Sequence, residues 1–231
     1  MISEFLALLA GEIDFVTFLI DLCVLMFVII CCMPVHECAH AFVADKLGDP
    51  TGRLHGRITF NPLAHLSWQG TLMIAVFGFG YAKPVPCNIR NFKNRKLYFG
   101  LTALAGPVSN LLLGFIFVVL SCIFMIFITD TSSVVFEIAH MFFYYVAYYN
   151  IALAVFNLIP LPPLDGSRIL AIVLPDHLYY KMFEYERYLF YALFILLFVF
   201  NRIGFSPLSL ISSSILDILF NAVCSLFSIF I

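Results

Sequence analysis

Residues 15–33 read FVTFLIDLCVLMFVIICCM, and Asp21 is their only charged side chain. A helix that crosses the hydrocarbon core of a bilayer needs about 20 apolar residues. This run qualifies, and its helical reading extends through His36 and His40 to about Lys46. The rest of the chain is built alike. Of its 231 residues, 63% are hydrophobic and 11% charged, with a mean hydropathy of +1.03. A water-soluble domain carries roughly a quarter charged residues, so this composition predicts an integral membrane protein.

Further spans follow outward. Residues 98–128 hold no charged residue; residues 134–160 hold only Glu137 and His140; residues 207–231 hold only Asp217. Residues 188–200, bounded by Arg187 and Arg202, cross only with snorkelling or local thinning. Two short apolar stretches near 1–10 and 71–81 read as interfacial or re-entrant. The fold class predicted is an all-α polytopic membrane protein of four to six transmembrane helices. Gly/Pro-rich residues 48–86 interrupt it, with β-capable runs at 57–60 and 71–77, and predict a small membrane-associated β-containing loop.

Eight of the twelve Lys and Arg residues lie between Lys46 and Lys96. The positive-inside bias puts that connection in the cytoplasm and the amino terminus outside. Residues 129–133 then lie outside, and the chain returns inside after Pro160. The acidic side chains before His36 are Glu4, Glu12, Asp14 and Asp21, with no basic ones, so no signal peptide is expected. The net charge of −2 gives no reason to expect nucleic-acid binding. The seven cysteines show no paired spacing and predict no disulfide framework.

Chemistry concentrates at His36-Glu37-Cys38-Ala39-His40. Histidines four apart project from one helix face and can share a tetrahedral metal. Such a metal lowers the pKa of water toward neutrality, and Glu37 stands ready to take the proton. Two His and a Glu at membrane depth are costly without a partner, which disfavours a purely structural trio. The pair needs a third ligand, and His65, Glu137, His140, Asp165 and Asp217 are the candidates. His140 precedes Asn157 by 17 residues, roughly 25 Å of helix, so Glu137 and His140 open the third span at its far end. Asp165 follows the near end of that span, at the depth of the histidines, and is the preferred ligand. Pro160, Pro162 and Pro163 break the helix just before it, and such backbone at membrane depth must line a cavity or be buried.

Asn157 is expected near substrate or the developing oxyanion, with helix capping as the competing role. Asn110 can face the site, although the small residues Thr102, Ala105, Gly106 and Ser109 around it also suit close helix packing. His55 and His65 read as surface or structural groups.

Together these pieces resemble the site-2 protease family of intramembrane metalloproteases. The resemblance rests on His36 to His40, residues 56–62 (GRITFNP), 82–86 (AKPVP), 105–110 (AGPVSN) and 157–166, in the family's order across roughly residues 30–170. It implies one Zn2+ per chain held by His36, His40 and Asp165, Glu37 as general base, and Asn157 near the substrate. It also implies cleavage of a membrane protein's transmembrane segment. The expected organisation is one transmembrane metalloprotease domain over residues 1–231, with a family-like core at about 14–170 and C-terminal helices at about 185–231. The expected setting is the lipid bilayer of the cell membrane, with the active site toward the cytoplasm. A metal transporter and a non-catalytic zinc-binding scaffold are the competing readings. The first calls for ligands spread across the bilayer, and the second has no use for Glu37.

Overall fold

The computed structural model describes residues 8–70, 82–128, 134–202 and 206–227. Four of its helices are long and apolar enough to cross a membrane: α1 (Phe15–Lys46), α4 (Arg95–Ile126), α5 (Val134–Asn157) and α9 (Pro207–Phe227). Between them lie the short helices α2 (Thr51–Leu54), α3 (Pro62–His65), α6 (Asp165–Leu170), α7 (Asp176–Glu184) and α8 (Glu186–Arg202). The protein is thus an all-α, multi-pass membrane protein. The 17 residues of α8 give a rise of about 26 Å, short of the roughly 30 Å core.

The strand expected at 57–60 does not form. That segment bends, because the Arg57 guanidinium donates to the carbonyls of Ala64 (2.6 Å) and Lys83 (3.2 Å). Asn61 then caps α3 through the Leu63 amide. No strand occurs among the described residues; the apolar stretches at 1–7 and 71–81, including the run at 71–77, lie outside them.

Helix α4 is the hub, packing on α1, α5, α6 and α9. The core joins Ile20, Val24 and Val28 of α1 to Val118 and Cys122 of α4, Val146 and Ile151 of α5, and Leu216 of α9. Leu19, Met26 and Ile30 of α1 and Leu112 and Ile116 of α4 face outward, as lipid contact requires of spanning helices.

Helix α1 carries a π-turn at Val28–Cys32. Its local cause is Pro34, which has no N–H for the ladder and whose ring would strike the carbonyl of Ile30 in a regular helix. The turn also sets phase. Buried residues of α1 recur every four positions: Ile20, Val24, Val28, Cys32, His36, His40 and Ala44. At 3.6 residues per turn each step of four drifts by about 40°. One extra residue in a π-turn takes up about 100° of that drift. Both core residues and histidines therefore face the bundle interior. Asn150 of α5, fully buried, donates to the Cys32 sulfur at 3.3 Å and to the Val146 carbonyl at 2.8 Å beside this turn.

The loop after α1 is tied at its root. Asp49 accepts from the Asn88 amide and the Asn91 side chain, both at 2.7 Å, and from the Thr51 amide at 3.2 Å. Burial alone would raise the Asp49 carboxyl, but these donors outweigh it and hold the pKa below the ordinary aspartate value.

Candidate metal centre

His36 and His40 occupy successive turns of α1 after the π-turn. Asp165 opens α6, delivered there by the break at 158–164. Gly166 allows this close approach: a Cβ on it would run into the carbonyls of Leu158 and Ile159. The three side chains converge. His36 Nε2 and His40 Nε2 are 3.1 Å apart, and Asp165 Oδ2 lies 3.3 and 3.2 Å from them. All three residues are buried, each under 9% exposed.

Neighbouring groups orient these donors. His40 Nδ1–H donates to the Thr102 carbonyl of α4 at 2.7 Å, which leaves the Nε2 lone pair turned toward the other two donors. Arg168 stands 3.9 Å from Asp165 Oδ1. Burial by itself pushes the Asp165 carboxyl up, yet the facing imidazoles of His40 and His36 prevail and hold it below the usual carboxylate range. On the α4 side, Gly106 leaves room for both rings: a Cβ there would come within 2.5 Å of His36 Cε1 and of His40 Cε1.

This donor set fits zinc. Tetrahedral Zn–N and Zn–O bonds of roughly 2.0–2.1 Å place neighbouring donors about 3.3–3.4 Å apart, and the three separations are 3.1–3.3 Å. Two imidazoles and a carboxylate are the N and O ligands zinc takes, with the fourth position left for a reactant. Among the described residues this is the group of three or more His, Cys, Asp or Glu side chains close enough to hold one ion.

The family model of peptidase family M50 matches residues 24–200. The chain belongs to peptidase family M50, the site-2 protease family. The chain is also similar to three proteins, each described as a "Putative zinc metalloprotease". YwhC of Bacillus subtilis is 42% identical over 175 residues, 76% of this chain and 80% of its own length. A Methanocaldococcus jannaschii protein is 33% identical over 135 residues, 58% of this chain and 62% of its own. Rip2 of Mycolicibacterium smegmatis is 28% identical over 137 residues, 57% and 50% respectively. No solved structure matches the chain.

A cavity of about 1000 Å³ is lined by His36, Glu37, His40, Asn110, Asn157 and Asp165. Glu37 is half-buried at its wall. Asn157 ends α5 and donates its side-chain N–H to the Leu153 carbonyl at 3.0 Å. The packing role weighed for Asn110 does not account for its amide: it is 1% exposed, and its Oδ1 is buried without a protein partner. Glu137 and His140 stay away from the metal centre. His140 instead meets Ser121 Oγ at 3.0 Å near the other end of α4. His65 is fully buried and bonded to the Thr59 carbonyl at 2.9 Å; His55 is exposed and bonded to the Thr51 carbonyl.

Sequence reasoning missed three contributors. The Thr102 carbonyl is backbone and has no side-chain signature. Gly106 read as a packing residue, yet what it packs against is the ligand pair. The wall formed by Phe183, Arg187 and Tyr188 of the α7–α8 region follows from tertiary placement that hydropathy does not report.

Proposed function

We propose that the protein is an intramembrane zinc endopeptidase that hydrolyses peptide bonds within or near transmembrane segments of membrane proteins. The observation that carries the reading is the convergence of His36, His40 and Asp165 to tetrahedral spacing in a cavity that Glu37 also lines.

His36, His40 and Asp165 would hold the zinc, which when bound would supply Lewis-acid polarisation of the scissile carbonyl and lower the pKa of water beside it. Glu37 accepts the proton of the attacking water and passes it to the leaving amine as the carbon–nitrogen bond breaks. Asn157 and Asn110 offer amide groups on the same cavity wall for the substrate backbone and the developing oxyanion. A transmembrane helix must unwind before its carbonyl is open to attack. Ala82, Pro84 and Val85, in a stretch outside any helix, border the cavity, and we assign the unwound substrate to lie along them by backbone pairing.

The cytoplasmic end of the bilayer is the side we assign to the centre. α1 ends at Lys46 just past His40, and the basic connection follows.

The test uses purified full-length protein in proteoliposomes with a candidate single-span substrate. Glu37→Gln should keep bound zinc while cleavage falls by a factor on the order of 10³ or more; Asp165→Ala should lose zinc. Undiminished cleavage by Glu37→Gln overturns the mechanism. Zinc flux through the wild type without any cleavage overturns the protease reading itself.

A further inference from the structure

Cysteine spacing predicts no pairing, and every described cysteine is a thiol. Two of them nonetheless meet. Cys122 of α4 and Cys224 of α9, 102 positions apart, hold their Sγ atoms 2.7 Å from each other. By comparison, Cys122 Sγ lies 4.0 Å from the Phe220 carbonyl oxygen, one turn earlier on α9. The separation exceeds a covalent S–S bond, about 2.05 Å, by only about 0.7 Å.

The helices carrying them are packed against one another. Cys122 is 1% exposed inside the main core, and Phe220 and Cys224 pack against that core from α9. Both cysteines sit within the last turn or so of their helices, which end at Ile126 and Phe227. Along α4, Cys122 is twenty residues beyond Thr102, whose carbonyl holds His40. That is about 30 Å of helix, a full membrane thickness from the metal centre. In the orientation assigned above this is the extracytoplasmic face, where oxidants maintain disulfides.

We propose that Cys122 and Cys224 form a disulfide site that staples the C-terminal helix to α4 on the bilayer face opposite the metal. The oxidant is an external disulfide, of a thiol oxidoreductase or a small molecule. Cys224, half-buried where Cys122 is enclosed, attacks one sulfur of that disulfide as its thiolate and releases the first external thiol. Cys122 then attacks the Cys224 sulfur of the mixed disulfide, forms the Cys122–Cys224 bond and releases the second external thiol. The two cysteine thiols give up two protons and two electrons, and the external disulfide is reduced to two thiols. The link closes a loop of about a hundred residues, and a crosslink restricts the unfolded chain more as its loop lengthens.

The test treats full-length protein in detergent micelles with the membrane-permeant 4,4′-dithiodipyridine, then alkylates the remaining thiols and maps peptides by mass spectrometry. The expected result is a crosslinked peptide joining residues 122 and 224, lost on reduction and absent from Cys224→Ser. Oxidised wild type should also melt at higher temperature than reduced wild type, with no such shift in Cys224→Ser. A thiopyridyl adduct that persists on Cys224 while Cys122 stays alkylatable overturns the proposal. So does a protein in which Cys23, Cys31 or Cys32 supplies the crosslink instead.

Discussion

Gly106→Ala isolates the claim that α4 shapes the metal centre. The added methyl would sit within 2.5 Å of His36 Cε1 and His40 Cε1 and still closer to His40 Nε2. Carbon atoms rest at about 3.5–4.0 Å, so each ring must retreat by about 1 Å. Metal ligands hold their distances within about 0.2 Å, and the required movement is several times that. Neither ring can move freely, since His40 is tied to the Thr102 carbonyl and both project from a packed helix. We expect zinc affinity to fall by about 100-fold or more, equivalent to about 2.8 kcal/mol. The helix is not weakened by the change, because alanine is better than glycine in a helix interior by up to about 1 kcal/mol. Gly114→Ala is the matched control on α4. Its methyl meets the buried Ile151 side chain, 2.9 Å from Cγ1, and the Ala147 carbonyl at 3.5 Å; it crowds the α4–α5 core but touches neither histidine, so zinc binding should stay at the wild-type level. The assay is competition with a chromophoric chelator on detergent-purified protein, with metal content by mass spectrometry. Unchanged zinc affinity in Gly106→Ala would refute the close approach of α4 to the histidines.

Three further outcomes follow from other parts of the structure. Gly166→Ala drives a methyl into the carbonyls of Leu158 and Ile159, so Asp165 shifts and zinc affinity drops; the same competition assay reads it, and a wild-type value would contradict the placement of α6. Asp49→Asn should destabilise the loop root by about 2 kcal/mol through lost charge-assisted hydrogen bonds, seen as faster proteolysis at residues 49–91. Because the folded Asp49 pKa is depressed, its stabilisation is present above the unfolded value of roughly 3.9 and is lost as pH falls through the folded value. Wild type should therefore become protease-sensitive at strongly acid pH, while Asp49→Asn shows no such step. Asn150→Leu removes the contact to the Cys32 sulfur; overall stability should change by less than about 1 kcal/mol, but zinc affinity should fall as the π-turn loses its anchor. Unaltered affinity there would show that Pro34 alone sets the turn.

What the sequence disclosed, and what it withheld, divides along physical lines. Long apolar runs with at most one charged side chain fix spanning helices because hydrocarbon admits little else, so α1, α4, α5 and α9 were legible. The His pair was legible because helical spacing of four is local geometry. Asp165 was legible through depth: the bilayer turns a position along the chain into a coordinate normal to the membrane, and three prolines marked where the helix had to stop. The bend at 57–60 was not legible as such. β-propensity there lost to Arg57, whose guanidinium gathers two loop carbonyls, a long-range choice that no local window contains.

The π-turn shows how these two kinds of information combine. Pro34 makes a helix defect predictable, but its consequence emerges only against the neighbouring helices. Without about 100° of rephasing, one face of α1 could not serve the core above, at Ile20 and Val24, and the ligands below, at His36 and His40. The bundle above the turn is stabilised by apolar packing, whereas the site below it is a cluster of desolvated polar side chains gathered around one cation position. A single helix therefore couples an apolar half to a polar one that gains from a bound cation, and the defect between them lets each half keep its own geometry. On that account, zinc should raise the protease resistance of the His36–Asp165 region far more than that of the α4–α5 core. Limited proteolysis with and without a chelator measures the difference directly, and equal protection of both regions would break the argument.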